Sequence, residues 1–280
     1  MAKLRIIDSH CHIFPDTIAQ KATDSIDIFY GISSSGLIDG CAFVGTAENL
    51  IKQCDESGVE KCVVTSVATT PHHAQSINSY IASEVQLYPD RFIGLGSLHP
   101  ESEDIEADAE HLIELGLRGV KLHPDIQNFK VDDPKVMNIF EICNRKNLPI
   151  LLHTGDSRYD NSNPNRVEKI LKAFPDLTII GAHLGGWSIW EDAYKTLSKY
   201  PNFYVDTCSS FYALSKNTAK AIIEAYGTDR VIFGTDFPMW KQKEDLEYLF
   251  NLGFSDNELE NILFNNINKA LKIQTEKQCN

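Results

Sequence analysis

Eight short runs rich in valine, isoleucine and leucine punctuate this chain, and their spacing constrains its fold more than any other feature. They cover 4–8, 61–67, 91–97, 117–122, 148–152, 177–182, 202–206 and 230–234. From the second run onward, successive starts lie 25–31 residues apart, the length of one βα unit. Continuous apolar runs suit strands buried on both faces, as in a parallel sheet. Amphipathic helices are expected between them, at 46–57, 73–87, 104–116, 134–146, 164–173, 188–199, 214–226 and 243–252. In 104–116, for example, Ile105, Ala109, Leu112 and Ile113 form one stripe, and Gly116 suits a C-cap. Eight such units predict a (β/α)8 TIM barrel. A doubly wound open sheet is the alternative, but it rarely needs eight units.

No linker rich in Ser, Gly or Pro divides residues 1–280, so a single domain is expected. The longest connection, 13–45, contains Gly31, Ser33, Ser34, Ser35, Gly36 and Gly40. It would follow the first strand at the end where barrels build their sites, as a lid or as a plain surface insertion. Residues 255–273 are expected to add a final amphipathic helix packed outside the barrel. Lys+Arg total 26 and Asp+Glu 39, a formal net charge of −13 that repels phosphate backbones and anionic lipid. Nucleic acid and membranes are therefore not expected partners. The N-terminus lacks the apolar core of a signal peptide, and no stretch approaches the roughly 18–20 apolar residues of a membrane span. Seven cysteines with no CxxC pair read as free thiols in a reducing cytoplasm. Cys11, Cys41, Cys54 and Cys62 lack the paired spacing of a structural zinc site. A homodimer is the default expectation for such a chain.

Six of the nine histidines, His10, His12, His99, His123, His153 and His183, fall at or just past the C-terminal end of an expected strand. Asp236 does the same after the eighth. In a parallel barrel all these ends open onto one face, so residues distant in sequence converge. Several imidazoles and a carboxylate on a rigid ring are what a divalent metal needs. Period-two alternation would put Asp8, His10 and His12 on one face of the first strand. By the same rule Lys121 and His123 point inward while Val120 and Leu122 face the helices. Three readings of Lys121 stand: a carboxylated bridge between two metals, a free cation for a substrate carboxylate, or a structural pair with Asp8 or Asp206. Arg158, in the loop after the fifth strand, is either a substrate-binding cation or a solvated surface group. Trp187, Tyr212 and Trp240 lie in loops of the same rim, as pocket walls or as packing.

Five motifs, Asp8-Ser9-His10-Cys11-His12, GVKLHP at 119–124, LLHTG at 151–155, GAHLGG at 181–186 and FGTDFP at 233–238, resemble the amidohydrolase superfamily of metal-dependent barrels. The match is closest to the branch with dihydroorotase-like hydrolases and the aminocarboxymuconate-semialdehyde and resorcylate decarboxylases. The resemblance implies His10, His12, His153 and Asp236 as metal ligands. It implies His183 as a second-metal ligand or as the residue that orients water or substrate. Lys121 stands where some members carry a carboxylated lysine. Several of the decarboxylases have glutamate as a ligand where this chain has Asp8. The shorter side chain favours a role orienting a ligand histidine.

The chemistry expected is hydrolysis of a small, carboxylated compound at an amide, lactone or cyclic C–N bond. One or two divalent ions, Zn²⁺ first and Mn²⁺ or Fe²⁺ as alternatives, would activate water. Asp236 would move the proton and His183 would polarise the carbonyl, with Lys121, His123 and Arg158 binding substrate. The alternative keeps the site and changes the reaction to non-oxidative decarboxylation or hydration. A third reading is a metal-free binding module.

Overall fold

Most of the runs form strands because they are apolar on both faces and are covered on both. The computed structural model describes residues 4–31 and 40–273. Its strands are β1 (Ile7–His12), β2 (Lys61–Thr65), β3 (Phe92–Gly94, continued as Gly96–Ser97 past Leu95), β4 (Val120–Leu122), β5 (Ile150–Leu152), β6 (Ile179–Gly181), β7 (Phe203–Asp206) and β8 (Val231–Ile232). Each pairs in parallel with the next, the two halves of β3 serving opposite neighbours. Beyond β8 the chain meets β1: Ser9 N–H donates to Phe233 O at 2.9 Å and His12 N–H to Phe237 O at 2.7 Å. The architecture is a (β/α)8 barrel, and the open-sheet alternative falls away.

The helices are α1 (Asp16–Tyr30), α2 (Ala47–Ser57), α3 (Ala74–Leu87), α4 (Ile105–Glu114), α5 (Pro134–Lys146), α6 (Pro164–Ala173), α7 (Trp190–Leu197), α8 (Lys216–Tyr226), α9 (Gln242–Phe250), α10 (Asp256–Glu260) and α11 (Asn266–Ala270). Their boundaries follow local chemistry. Thr46 accepts the Asn49 N–H to start α2, and Gly58, in the left-handed region, ends it. No described helix is long and apolar enough to cross a membrane.

Two cores result. Outward strand residues such as Val64, Val120, Leu122 and Leu152 pack against the helices. Inward residues Ile7, Val63, Leu95, Leu151, Ile180, Tyr204 and Ile232 form a second core with Phe264, Ile267, Ala270 and Leu271. The segment expected as one helix outside the barrel is therefore broken, α10 and α11 being joined by a π turn at Asn261–Asn265. It plugs the barrel end opposite the site instead of lying outside it, because its apolar face meets the inward row. Register pairs Lys121 with Leu151, Leu151 with Ile180 and Ile180 with Tyr204, so Lys121 is the charged member of an inward row.

Three further expectations are corrected. The first strand is 7–12, not 4–8, so the motif itself is strand. The pairing of β1 with β2 shifts between Asp8 and Cys11. The extra residue turns Asp8 outward toward Cys11 and Cys62, away from the face of His10. The connection 13–45 carries the fifteen-residue α1, closed by Gly31 at φ 65°. Ser33, Ser34, Ser35 and Gly36, on which the lid reading leaned, lie outside the described residues.

Candidate active site

β1 delivers His10 and His12, and the turn after β8 delivers Asp236. His10 Nε2 and His12 Nε2 are 3.2 Å apart, and Asp236 Oδ1 lies 3.5 Å from the first and 3.3 Å from the second. Bonds of about 2.1 Å to one cation set ligand edges of about 3.0–3.5 Å, so this triangle fits a divalent ion. His153 is not in the triangle. Its Nδ1 is 2.8 Å from His183 Nε2, and its Nε2 is 3.3 Å from Asp125 Oδ2. It stacks on His123 at 3.9 Å. The structure thus brings three of the four expected ligands to one point and sets the fourth beside it, facing His183.

The lone pairs point the same way. His10 Nδ1 is 2.8 Å from Asp206 Oδ2, so the hydrogen is assigned to Nδ1 and Nε2 carries a lone pair. With its Nδ1–H directed at Cys208 O, 3.2 Å away, His183 also carries its lone pair on Nε2, which faces His153 Nδ1. Lys121 Nζ, with the residue 1% exposed, donates to His10 Nε2 at 2.8 Å and so marks where positive charge is accepted. Burial lowers the Lys121 ammonium, while Asp236, Cys208 and Asp206 work against it. Burial also lowers His12 to about 4 and, with help from His153, His183 to about 3. Burial would raise the Asp236 carboxyl, yet His10, His12 and His183 hold it well below the usual range. Neutral His12 and His183 beside an ionised Asp236 match the protonation pattern that metal binding requires.

The backbone bends to make this arrangement. His183, Leu184, Ser209 and Asp236 all have positive φ, at 61°, 50°, 43° and 64°. Such non-glycine strain is concentrated at sites where surrounding contacts enforce it. Asp236 is pinned by its N–H to His10 O at 2.9 Å and by Ser209 Oγ to Oδ2 at 2.6 Å. Gly155, at φ 72°, lets the β5 loop meet the β6 loop; a Cβ there would stand 2.7 Å from Gly186 Cα.

The remaining expected residues divide. Asp8 accepts from His10 N, Thr235 N, Thr235 Oγ1 and Gln242 Nε2, bracing β1 against the turn after β8. It touches His10 through the main chain only; Asp206 orients the ring. Among the expected pairs for Lys121, Asp8 is on the wrong face. His99 accepts from Glu101 N and joins neither group. His123 takes Ile126 N–H at Nδ1, so its Nε2–H donates to Tyr30 Oη at 3.0 Å. Arg158 lies at the surface with its guanidinium already engaged: it forks onto Asp156, donates to Phe29 O, and packs among Phe29, Tyr30, Tyr159 and Trp187. Trp187 lies edge-on to Tyr30, and Trp240 stacks on Tyr212 while donating to Ser209 Oγ. Sequence reasoning missed Tyr30, Asp125, Cys208 and Ser209 as neighbours of the site. Asp125, directly after a strand-end His-Pro, carried the one available signal. Spacing also hid a buried contact of Cys54 with Cys62, 3.1 Å between sulfurs, on the outer side of β1.

The class this barrel and its histidine ring define is confirmed by comparison. The family model described as Amidohydrolase matches residues 7–273, and the chain belongs to the amidohydrolase family. A 2-amino-3-carboxymuconate-6-semialdehyde decarboxylase of Dictyostelium discoideum is 35% identical over 172 residues. That match covers 52% of this chain and about half, 48%, of the relative. An uncharacterised TIM-barrel protein of Bordetella bronchiseptica superimposes with TM-score 0.80 at 24% identity, covering 96% of this chain and 99% of the other. A dihydroxybenzoic acid decarboxylase of Polaromonas sp. JS666, with bound manganese and 2-nitroresorcinol, gives TM-score 0.72 at 16% identity, covering 98% of each chain. The chain is an enzyme of the amidohydrolase superfamily.

Proposed function

We propose that this enzyme is a divalent-metal-dependent, non-oxidative decarboxylase of a small carboxylated substrate. The observation that carries the reading is the triangle of His10 Nε2, His12 Nε2 and Asp236 Oδ1 beside buried Lys121. The relative and the solved structure whose names state an activity are both decarboxylases, which favours this chemistry over the hydrolysis expected first from the sequence. Manganese in the latter supports a divalent ion, without singling out zinc.

His10, His12 and Asp236 would hold the ion, with His153 Nδ1 and His183 Nε2 as further candidate donors. When bound, the ion supplies Lewis acidity that draws electron density from the substrate. Decarboxylation breaks one C–C bond, leaves its electron pair on carbon, and replaces CO₂ with a proton. Lys121 Nζ is the cation placed to hold an anionic oxygen next to the ring of imidazoles. Because His123 already donates to Tyr30 Oη, the Tyr30 O–H is free to donate to substrate. His183 meets the site with a lone pair, so it orients or accepts and does not start as the acid. Trp187 and Tyr30, packed edge-on, would shield the substrate from water.

The test is turnover of Mn²⁺-loaded protein on hydroxylated aromatic acids and unsaturated dicarboxylic acids in D₂O. CO₂ release with deuterium at the vacated carbon is expected, and it is abolished in His10→Ala/His12→Ala. Hydrolysis of amide or lactone substrates without CO₂ would return the assignment to a hydrolase.

A further inference from the structure

Asp125 follows β4 in the stretch His123-Pro124-Asp125, and its side chain is 1% exposed. Its Oδ1 accepts the Asn161 Nδ2–H at 2.9 Å. Its Oδ2 and His153 Nε2 are both buried without a properly directed hydrogen-bond partner, and they face each other at 3.3 Å. A carboxylate only accepts. A hydrogen on His153 Nε2 is the form that faces this carboxylate favourably, and in that form Nδ1 is a lone pair.

That lone pair lies 2.8 Å from His183 Nε2, which Cys208 O leaves as a lone pair too. Two acceptors at this distance repel unless a cation lies between them or beside both. The other form of His153, with hydrogen on Nδ1, would donate to His183 Nε2 and satisfy the pair. It would also hide both nitrogens from any metal, and turn a lone pair toward the Asp125 carboxylate. The His123 ring, stacked at 3.9 Å and 11°, holds the His153 ring plane so that this choice of nitrogen is the remaining freedom.

We propose that Asp125 is a positioning residue that fixes the hydrogen of His153 on Nε2 and so keeps His153 Nδ1 and His183 Nε2 from satisfying each other. The inference rests on the metal reading of the same site. Asp125→Asn is the informative change. Asn161 holds the oxygen at Oδ1, so the new amide NH₂ faces His153 Nε2 and donates to it, which moves the His153 hydrogen to Nδ1.

The experiment is a long-range ¹H–¹⁵N spectrum of histidine-labelled, chelator-treated protein, with His153 assigned by its loss in His153→Gln. Wild type is expected to show His153 with hydrogen on Nε2, and Asp125→Asn with hydrogen on Nδ1. Wild type with hydrogen on Nδ1 overturns the proposal with no variant needed, so a misfolded Asp125→Asn does not protect it. Titration with Mn²⁺, read by electron paramagnetic resonance, is expected to show at least tenfold weaker binding in Asp125→Asn. A smaller change, with wild type binding normally, overturns it as well. If wild type binds no Mn²⁺, the metal reading fails, and the metal-free spectrum still decides the role of Asp125.

Discussion

At the scale of single residues, Asp206 gathers much of the site. Its Oδ2 takes the His10 ring, and its Oδ1 accepts His183 N–H at 2.9 Å and Cys208 N–H at 3.2 Å. Burial would raise this carboxyl, but the His10 ring first, then His183 and the Cys208 thiol, bring it down to about 2. His12 and His183 are pushed the same way, to about 4 and 3, from an ordinary value of 6.5. Between those values and 6.5 the unfolded chain binds protons that the folded chain refuses. Their contribution to stability is therefore whole above pH 6.5 and is lost as pH falls toward 4 and 3. Asp206 extends the loss from 3.8 down to about 2. In chelator-treated protein, His183→Gln is expected to flatten the pH 4–6 slope of unfolding free energy by one proton, about 1.4 kcal/mol per pH unit. Urea titrations at several pH values measure it, and a slope equal to wild type contradicts the assignment.

At the scale of elements, the β1 bulge and the placement of α1 decide what the site contains. Strict alternation would have aimed Asp8 at the metal position; one extra residue sends it to the helix side, where Thr235 and Gln242 satisfy it. α1 brings Tyr30 over His123 and His153. Its C-terminal turn is tied to the β5 loop by Arg158, which bridges buried Asp156 and Phe29 O. Arg158→Ala leaves that carboxylate unpaired and removes the tie, at a cost of about 1–3 kcal/mol, between exposed and buried pairs. Hydrogen exchange at residues 27–31 is expected to quicken by tenfold or more while α5 stays unchanged. Equal protection in both proteins would mean that α1 does not depend on Arg158.

At the scale of the whole molecule, a chain of net charge −13 turns imidazoles, a carboxylate and one lysine onto a single face of its barrel and closes the other face with its C-terminal segment. Mn²⁺ at 100 times its dissociation constant is expected to stabilise the fold by about 2.7 kcal/mol. Thermal melts should show the rise in wild type and none in His10→Ala/His12→Ala; a rise in both would place the ion elsewhere. The barrel, its βα rhythm, inward Lys121 and the strand-end positions of His12, His153, His183 and Asp236 were legible in the chain itself, whereas His10 lies within the first strand. Apolar periodicity and strand ends are local properties, and a parallel barrel maps strand ends onto one face. The outward turn of Asp8, the tie at Arg158, the separation of His153 from the triangle and the terminal plug were decided only by tertiary structure. Each depends on a bulge, a packing partner or a hydrogen's choice of nitrogen, set by contacts between residues far apart in sequence.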